Sequence, residues 1–366
     1  MICSSGTRVA LHIMVAVAAV AVVLAVGAGR GGAQTGVRPA ITTRGVHFVN
    51  ADGAPVILRG VNLNYHSKYR SLVTQLGVNF VRVRVLWNDV ESARGVFDQA
   101  ELSQLDNLVQ WLNANRIAVE LDLRGVPVPP WFGSPVGFWK ANMHASQAAY
   151  WGFVREIVQR YQQYRYVIGY GIYNEPHPFS PSAGSHALDQ TMLHWQAGIR
   201  DRILGLDPSR VVFFSVRGGN YGIKYANFRQ AGFRLGHTVL DWHSFYNGCC
   251  GSGFDEQNDN WIPSWALTHN QRSHSYTGTR QNQWLNLSIP WKRTHSLRIP
   301  MIVGEWGIQN ADTGRAAYNS QMSRIFRTQG VSWARWALDS NRMGLLHNGE
   351  LNEQGAWLAG MISAGG

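Results

Sequence analysis

The sequence is poor in cysteine and has no dense cluster of metal-binding side chains. It contains 3 cysteines in 366 residues, and two of them, Cys249 and Cys250, are adjacent. Neither a disulfide framework nor a cysteine-based metal site can be built from them. The two neighbours could form a disulfide with each other or remain free thiols. No glycine-rich phosphate loop precedes a helical segment. We therefore expect no cofactor and no metal.

Long apolar runs are also scarce, and the clearest one lies at the N-terminus. Arg8 is followed by "VALHIMVAVAAVAVVLAVGAG", and small residues continue to Ala33. This pattern is typical of a secretory signal peptide. We interpret 1–33 as that signal, 34–44 as a short linker and 45–366 as one domain; an uncleaved membrane anchor is the alternative. The protein is expected to be secreted, without membrane association after cleavage.

Lysine is rare, yet the chain is basic. There are 33 lysines and arginines against 22 acidic residues, a formal charge of +11. Loss of Arg8 and Arg30 with the signal would leave 31 basic residues and a charge of +9. Because the arginines are scattered and not arranged in runs, we expect a solvated basic surface and no nucleic-acid partner. We also expect a monomer.

Strand-like apolar segments alternate with helix-sized intervals. The predicted strands lie at 56–62, 79–85, 117–123, 167–174, 211–216, 238–243, 300–305 and 331–337. Amphipathic periodicity predicts helices at 100–115, 145–164 and 187–206. A turn at Asp52-Gly53 predicts a small N-terminal β-hairpin. Eight strand and helix repeats predict an α/β fold, a single-domain (β/α)8 TIM barrel.

Charged residues alternate with apolar ones inside three of these strands. Residues two positions apart point to the same side of a strand, and so are predicted to line the barrel interior together. These residues are Arg82 and Arg84, then Glu120, Asp122 and Arg124, then Asp241 and His243. For Glu120 and Arg84, deep in their strands, buried ion pairing is the favoured interpretation. Residues at the C-terminal ends lie where barrel active sites form.

Two glutamates end the fourth and seventh predicted strands, in "IYNEPH" and "IPMIVGEWG". These strands lie across a barrel from one another, so Glu175 and Glu305 should face the same cavity at the C-terminal end of the barrel. Glycoside hydrolysis needs two such carboxylates, one to protonate the leaving oxygen and one to attack or to activate water. Arg82 would keep Glu305 ionised for attack, which leaves Glu175 as the group that must hold a proton.

Four segments together resemble glycoside hydrolase family 5, the cellulase-type retaining β-glycosidases. They are "NEP" at 174–176, "VGEWG" at 303–307, "NFVRVRVLW" at 79–87 and "GVSWARWAL" at 330–338. The resemblance runs from Gly45 to Trp357, nearly the whole mature chain. It implies a catalytic barrel that cleaves the β-glycosidic bonds of a carbohydrate by double displacement. A β-1,4-glucan or β-mannan type of poly- or oligosaccharide is the expected substrate.

The resemblance also implies a role for each matching residue. Glu175 would be the acid/base, Glu305 the nucleophile and Asn174 the partner of the sugar 2-hydroxyl. Three further residues would complete the site: Arg82 as support for the nucleophile, Trp336 as the aromatic floor under the sugar at the cleavage point, and His243 beside the acid/base.

Two positions depart from the family pattern. The family carries histidine at the end of strand three, in an Asp-x-His pattern, where this chain has Arg124 in "LDLRGVP". Either the substrate bears an acidic or otherwise unusual group there, or Arg124 pairs with Asp122 or another nearby acid. The family's strand-six tyrosine lies two residues after the histidine, at the position of Phe245 here. We expect a bulge to bring Tyr246 back towards the nucleophile.

Tryptophan is abundant, with 15 in the chain. Aromatic rings in rim loops can stack on the CH-rich faces of sugars, and a packing role is the alternative for each ring. The candidates in segments predicted as loops, or beside the nucleophile, are Trp131, Trp139, Trp261, Trp265, Trp284, Trp291 and Trp306. His177, two residues after Glu175, is a further candidate for contact with substrate.

Two other functions would use the same features. A catalytically silent carbohydrate-binding barrel at the cell surface would keep the tryptophans without needing both glutamates. A transglycosylase would use the same glutamate pair, with a sugar replacing water as the acceptor. The presence of Glu175 together with Glu305 favours an enzyme.

Overall fold

In a computed structural model of the chain, the predicted barrel closes. The structure describes residues 37–135, 138, 143–177, 186–219, 227–233, 236–245, 253–255, 260–262, 283–311, 314–340 and 342–365. They belong to one unit that spans Gly36–Gly366. The predicted signal, 1–33, and the pair Cys249 and Cys250 lie outside the described residues. Within those residues, no helix has the length and apolar character needed to cross a bilayer.

Eight parallel strands form the barrel, each paired with the next along the chain and the last with the first. They are β1 Arg59–Asn64, β2 Phe80–Leu86, β3 Ala118–Arg124, β4 Val167–Ile172, β5 Val211–Ser215, β6 Thr238–Phe245, β7 Met301–Gly307 and β8 Ser332–Arg335. Each overlaps a predicted strand. The prediction of a (β/α)8 TIM barrel is therefore confirmed.

Helices follow most of the strands. Those in the described residues are α1 Ser71–Leu76, α2 Trp87–Val90, α3 Gln99–Ala114, α4 Met143–Tyr161, α5 His186–Leu206, α6 Gln283–Leu297, α7 Arg315–Gln329 and α8 Glu353–Ser363. Asp98 caps α3 by accepting hydrogen bonds from the N–H groups of Ala100 and Glu101. The large buried core lies between the helices and the outward face of the barrel strands.

Helix α6 corrects the assignment of two tryptophans to segments predicted as loops. Trp284 and Trp291 lie in this helix. Pro290 is inside it, and because a proline removes a helical N–H, the helical signal of this segment is weak. The Trp291 ring stacks on His295 with centroids 3.7 Å apart. Trp291 therefore has a packing role within its own helix.

Other tryptophans from the loop prediction have different positions. Trp131 lies in the 3-10 turn Pro130–Phe132, and its ring packs edge-on against Trp87 at 5.7 Å. Trp261 belongs to the short strand Asn260–Ile262, which pairs with Gly253–Asp255. Trp139 and Trp265 lie outside the described residues.

The predicted N-terminal hairpin is a three-stranded antiparallel sheet of Ile41–Arg44, His47–Asn50 and Pro55–Val56. The side chain of Asn50 accepts hydrogen bonds from the N–H groups of the turn that follows it, which fixes the predicted turn. Two further hairpins lie beside the barrel, Glu91–Ala93 with Val96–Phe97 and Leu346–His347 with Glu350–Leu351. None of these small sheets contributes a strand to the barrel.

The barrel interior changes from apolar to charged along its length. Apolar residues near the starts of the strands, together with Phe48 of the N-terminal sheet, form a small separate core. Farther along the strands the interior side chains are charged, and two glycines make room for them. A Cβ on Gly304 would lie 1.9 Å from Asp241 Oδ1, and one on Gly171 would lie 2.6 Å from Glu120 Oε1. Glycine at these positions therefore preserves the charged layer below the rim.

Candidate active site

Arg82, on β2, joins the residues predicted for the two reactive strand ends. Its Nη1 donates to Glu305 Oε1 at 2.7 Å and to Asn62 Oδ1 at 3.1 Å. Its Nη2 donates to Asn174 Oδ1 at 2.7 Å. The guanidinium is 1% exposed, so these bonds form away from bulk water and fix the nucleophile and the asparagine relative to each other. Asn62, on β1, is a member of this network that the sequence did not single out.

The same arginine is surrounded by three more carboxyl groups. Arg82 lies 2.9 Å from Asp241, 3.0 Å from Asp122 and 3.3 Å from Glu120. Burial raises the pKa of Glu120 well above its usual range, although Arg82 acts in the opposite direction. The predicted contact of Glu120 with an interior arginine is therefore present, with Glu120 favouring its neutral form. This reduces the negative charge held in the barrel.

Glu305 on β7 is buried among cations. Arg82 and Arg124 both donate to its Oε1, and His243 Nδ1 lies 3.7 Å from its Oε2. Burial raises the pKa of Glu305, but the positive charges of His243, Arg124 and Arg82 outweigh burial and hold that pKa below its usual range. Glu305 is therefore an ionised carboxylate, the state required of a nucleophile.

Arg124, the departure from the family pattern, ends β3 beside the nucleophile. Its Nε donates to Asp122 Oδ2 at 2.7 Å and its Nη2 to Glu305. Of the two interpretations offered by the sequence, pairing with nearby acids is therefore the one realised in the structure. The charge of Arg124 has protein partners and requires no acidic group on a substrate.

Glu175 follows β4 and lies against His243 of β6. The distance from His243 Nδ1 to Glu175 Oε1 is 2.6 Å. Burial lowers the pKa of His243, but the acidic groups of Glu305, Asp241 and Glu175 outweigh burial and raise it to about 10. The imidazole is therefore protonated at neutral pH, and its Nδ1–H donates to Glu175. The side chain of Glu175 is 32% exposed, so it remains accessible from the cavity at the C-terminal end of the barrel.

The backbone around Glu175 has an unusual conformation. Tyr173 and Glu175 both have φ of 48°, in the left-handed region that non-glycine residues seldom adopt. Successive residues of an extended strand point to opposite sides, yet Asn174 contacts Arg82 while its neighbour Glu175 contacts His243. The two left-handed residues allow both side chains to face the site. Strain of this kind is found at functional sites.

The side chains of Glu175, His243 and Glu305 come close together. One nitrogen or oxygen of each lies within 4.8 Å of the others, and this is the one such group among the described residues that could hold a metal ion. Arg82 and Arg124 already bind Glu305, and His243 is itself a cation. An additional positive ion would be repelled by these three groups. The charges suit a neutral substrate better than a metal.

Trp336, the predicted sugar floor, is half-buried at the end of β8. The guanidinium carbons of Arg84 and Arg124 each lie 5.0 Å from the centre of its ring. The ring is therefore held beside the nucleophile by two cation–π contacts.

Arg84 was predicted to form an ion pair deep in the barrel, but its side chain is 22% exposed and pairs with Asp339 at 3.6 Å. It lies near the rim because it is the fifth of seven residues in its strand.

Two predicted substrate contacts have different outcomes, and a third is not described. The prediction for Trp306 is wrong, because it follows the inward Glu305 on β7 and therefore points outward. Its ring is fully buried against Phe326 and Trp333. His177 is exposed, and its contact with substrate stays a prediction. Tyr246 lies outside the described residues, and the register shift between β6 and β7 occurs earlier, between Trp242 and His243, where Gly304 of β7 is the additional residue.

The cations around Glu305 lead to a prediction for Arg124. Changing Arg124→Met removes one positive charge, so the pKa of Glu305 should rise. As the pH falls, the variant should therefore lose activity at a higher pH than the wild type does. One nearby opposite charge is worth about 1–3 pKa units. We expect the acid limb of kcat/KM against pH to move up by about one unit, and Arg124→Lys to restore part of the shift. An unchanged limb with lower activity at every pH would contradict this account.

The raised pKa of His243 predicts how stability depends on pH. The folded pKa of about 10 exceeds the usual 6.5, so the contribution of the imidazolium is complete below about pH 6.5 and is lost as the pH rises through 10. The difference in the free energy of unfolding between the wild type and His243→Gln should therefore be largest near pH 6, on the order of a few kcal/mol. It should shrink towards pH 10. A constant difference would contradict the assignment, and His47→Gln, at an exposed position of the N-terminal sheet, is the control.

An eight-stranded barrel that brings two carboxylates together at the C-terminal ends of β4 and β7, beside a half-buried aromatic ring, has the architecture of a glycoside hydrolase. The family model described as Cellulase (glycosyl hydrolase family 5) matches residues 49–342. The chain belongs to glycosyl hydrolase family 5 and is a glycoside hydrolase.

Solved structures with the same fold include three enzymes of known source. The catalytic domain of the major endoglucanase from Xanthomonas campestris pv. campestris is 17% identical, with a TM-score of 0.62 over 88% of this chain and 99% of that one. Endo-glycoceramidase II from Rhodococcus sp. is 21% identical, with 0.63 over 85% and 80%. A hyperthermophilic endocellulase from the archaeon Pyrococcus horikoshii is 14% identical, with 0.61 over 88% and 99%. At these identities the likeness concerns the fold. No curated protein sequence matches the chain.

Proposed function

We propose that the protein is an exported retaining β-glycosidase that hydrolyses a β-linked poly- or oligosaccharide. The spacing of Glu175 and Glu305 is the observation that carries this proposal, because an oxygen of one lies within 4.8 Å of an oxygen of the other. Retaining enzymes hold the two carboxyl groups about 5–5.5 Å apart, and inverting enzymes about 6.5–9.5 Å. The shorter gap fits an anomeric carbon between the two groups without an intervening water.

In the first step, Glu305 forms a covalent bond with the anomeric carbon. The carbon–oxygen bond to the leaving group breaks, its electron pair goes to that oxygen, and the oxygen takes the proton of Glu175. Arg82 and Arg124 hold the carboxylate of Glu305 in one orientation before the attack. Asn174, held by Arg82, would bind the hydroxyl next to the anomeric carbon.

In the second step, water releases the sugar. Glu175 is now a carboxylate and accepts a proton from water, whose oxygen attacks the anomeric carbon as its bond to Glu305 breaks. The departing carboxylate regains the full negative charge that Arg82, Arg124 and His243 stabilise. The cations around Glu305 therefore assist its departure in this step, as they keep it ionised for the first one.

The proposed substrate is a β-1,4-glucan or a β-mannan. Its support comes from the family and from the printed names of structural relatives, an endoglucanase, an endocellulase and an endo-glycoceramidase. Trp336 supplies the apolar surface on which a sugar ring can stack. Export is proposed from the apolar run within 1–33, and cleavage after Ala33 would make Gln34 the first residue of the secreted protein.

The proposed function is tested with activated aryl β-glycosides, followed by β-glucan, mannan and xyloglucan. We expect turnover of at least one aryl β-disaccharide and release of soluble sugar from one polymer. Products measured at high acceptor concentration separate hydrolysis from transglycosylation. Folded protein that binds these sugars but turns over none of them would contradict the proposal and favour a carbohydrate-binding barrel.

A further inference from the structure

Arg84 and Asp339 form a loosely paired couple beside the sugar floor. Arg84 Nη2 lies 3.6 Å from Asp339 Oδ1, too far for a hydrogen bond. Arg84 Nε and Asp339 Oδ1 are each without a hydrogen-bond partner among the described residues. The two side chains are nevertheless accessible, at 22% and 17%. These two atoms are themselves buried, so solvent or substrate reaches the couple through the exposed remainder of the guanidinium and the carboxylate.

The position of the couple places it on the glycone side of the cleavage point. Arg84 comes from β2 and Asp339 follows β8, and β1 lies between these strands in the closed barrel. The acid/base Glu175 and its partner His243 come from the region of β4 and β6, across the barrel. Because Glu175 protonates the leaving group, the leaving group lies on its side of the site. The sugar retained by the nucleophile extends over Trp336 towards Arg84.

The chemistry of the couple selects one kind of ligand group. A guanidinium only donates hydrogen bonds, and a carboxylate only accepts them. A hydroxyl both accepts and donates, so one sugar hydroxyl, or two neighbouring ones, can satisfy both side chains. A carboxylate or sulfate on the substrate would bind Arg84 but would be repelled by Asp339. Arg124, the other cation at the floor, already has Asp122 and Glu305 as partners.

We propose that Arg84 and Asp339 together recognise a hydroxyl of an uncharged sugar on the glycone side, and so help to determine which β-glycan the enzyme accepts. This inference rests on the proposed β-glycosidase function. The stacking of Arg84 on Trp336, at 5.0 Å, ties the hydrogen-bonding group to the aromatic floor. A sugar that stacks on the ring therefore presents its edge to the couple.

The test compares variants with substrates that lack single hydroxyls. The probe is 4-nitrophenyl β-cellobioside or β-mannobioside, whichever the wild type turns over faster, with its glycone monodeoxy analogues and its uronosyl analogue. The variants are Arg84→Met and Asp339→Asn. Arg94→Met is the matched control, because Arg94 also stacks on a tryptophan, Trp131, but is exposed and outside the site.

Loss of a hydrogen bond to a charged group is expected to lower kcat/KM about 10- to 100-fold for each variant on the parent substrate. The control should behave as the wild type. One monodeoxy analogue should reduce wild-type kcat/KM by a similar factor, yet each variant should process that analogue as well as it processes the parent. The losses from the substitution and from removal of the hydroxyl would then not add, and this distinguishes recognition of the hydroxyl from a structural role of the side chain.

Two results would overturn the inference. In one, both variants lose as much kcat/KM between the parent substrate and every monodeoxy analogue as the wild type does. In the other, the wild type prefers the uronosyl analogue to the uncharged parent substrate. If Arg84→Met fails to fold, the isosteric Asp339→Asn supports or overturns the inference by the same comparison. A wild type that turns over none of the substrates contradicts the proposed function itself, which separates the two failures.

Discussion

Glu305→Ala is expected to lower kcat on an aryl β-glycoside by about 10⁴-fold or more, because the covalent step loses its nucleophile. The substitution leaves Arg82 and Arg124 facing the space that the carboxylate occupied. Two cations around a small gap favour a small anion there. Added azide should therefore restore turnover of a 2,4-dinitrophenyl glycoside by direct attack on the anomeric carbon.

The product of this rescue reports the role of Glu305. Azide in the place of the nucleophile attacks once, so the product should be the α-glycosyl azide, with inverted configuration. The control is Glu156→Gln, a surface carboxyl that pairs with Arg160, which should retain full activity. A β-glycosyl azide, or no effect of azide on a folded variant, would contradict the assignment of Glu305.

Glu175→Ala should have an effect that depends on the leaving group. A poor leaving group needs the proton of Glu175, so substrates of this kind should lose about 10²–10⁴-fold in rate. A 2,4-dinitrophenolate leaves without a proton, so the glycosyl-enzyme should still form and should then accumulate, because no base activates water. Stopped-flow absorbance should show a burst of dinitrophenolate followed by a slow phase.

Azide again separates the roles of the two glutamates. It needs no general base, and it can enter the space left by Glu175 on the face opposite Glu305. The expected product with Glu175→Ala is the β-glycosyl azide, which retains the configuration of the substrate. Equal losses for good and poor leaving groups, without a burst, would indicate that Glu175 has a structural role only.

Strand periodicity accounts for most of what the sequence could predict. The period of two placed Arg82, Asp122, Asp241 and His243 in the barrel interior, where the structure has them. The position of Glu305 near the C-terminal end of its strand predicted that it lies on the reactive rim, because barrel active sites form at that end. The rule also contained the signal that Trp306 is not a substrate contact, since the neighbour of an inward residue points outward.

Other features depend on contacts that a single sequence does not encode locally. The left-handed conformations of Tyr173 and Glu175 occur without glycine or asparagine at either position, so tertiary contacts must impose them. Arg84 and Asp339 come from distant parts of the chain and meet because the barrel closes through β1. The acid in "WALDS", four residues after the end of β8, was the available signal, and its partner could be identified only from the closed barrel.

The anomeric configuration of the first product tests the central claim most directly. Proton NMR during hydrolysis of a β-linked substrate distinguishes the β-anomer from the α-anomer before mutarotation mixes them. The account predicts that the β-anomer appears first, because two inversions at one carbon restore its configuration. The α-anomer as first product would mean direct attack by water, and would contradict both the role of Glu305 as nucleophile and the interpretation of its spacing from Glu175.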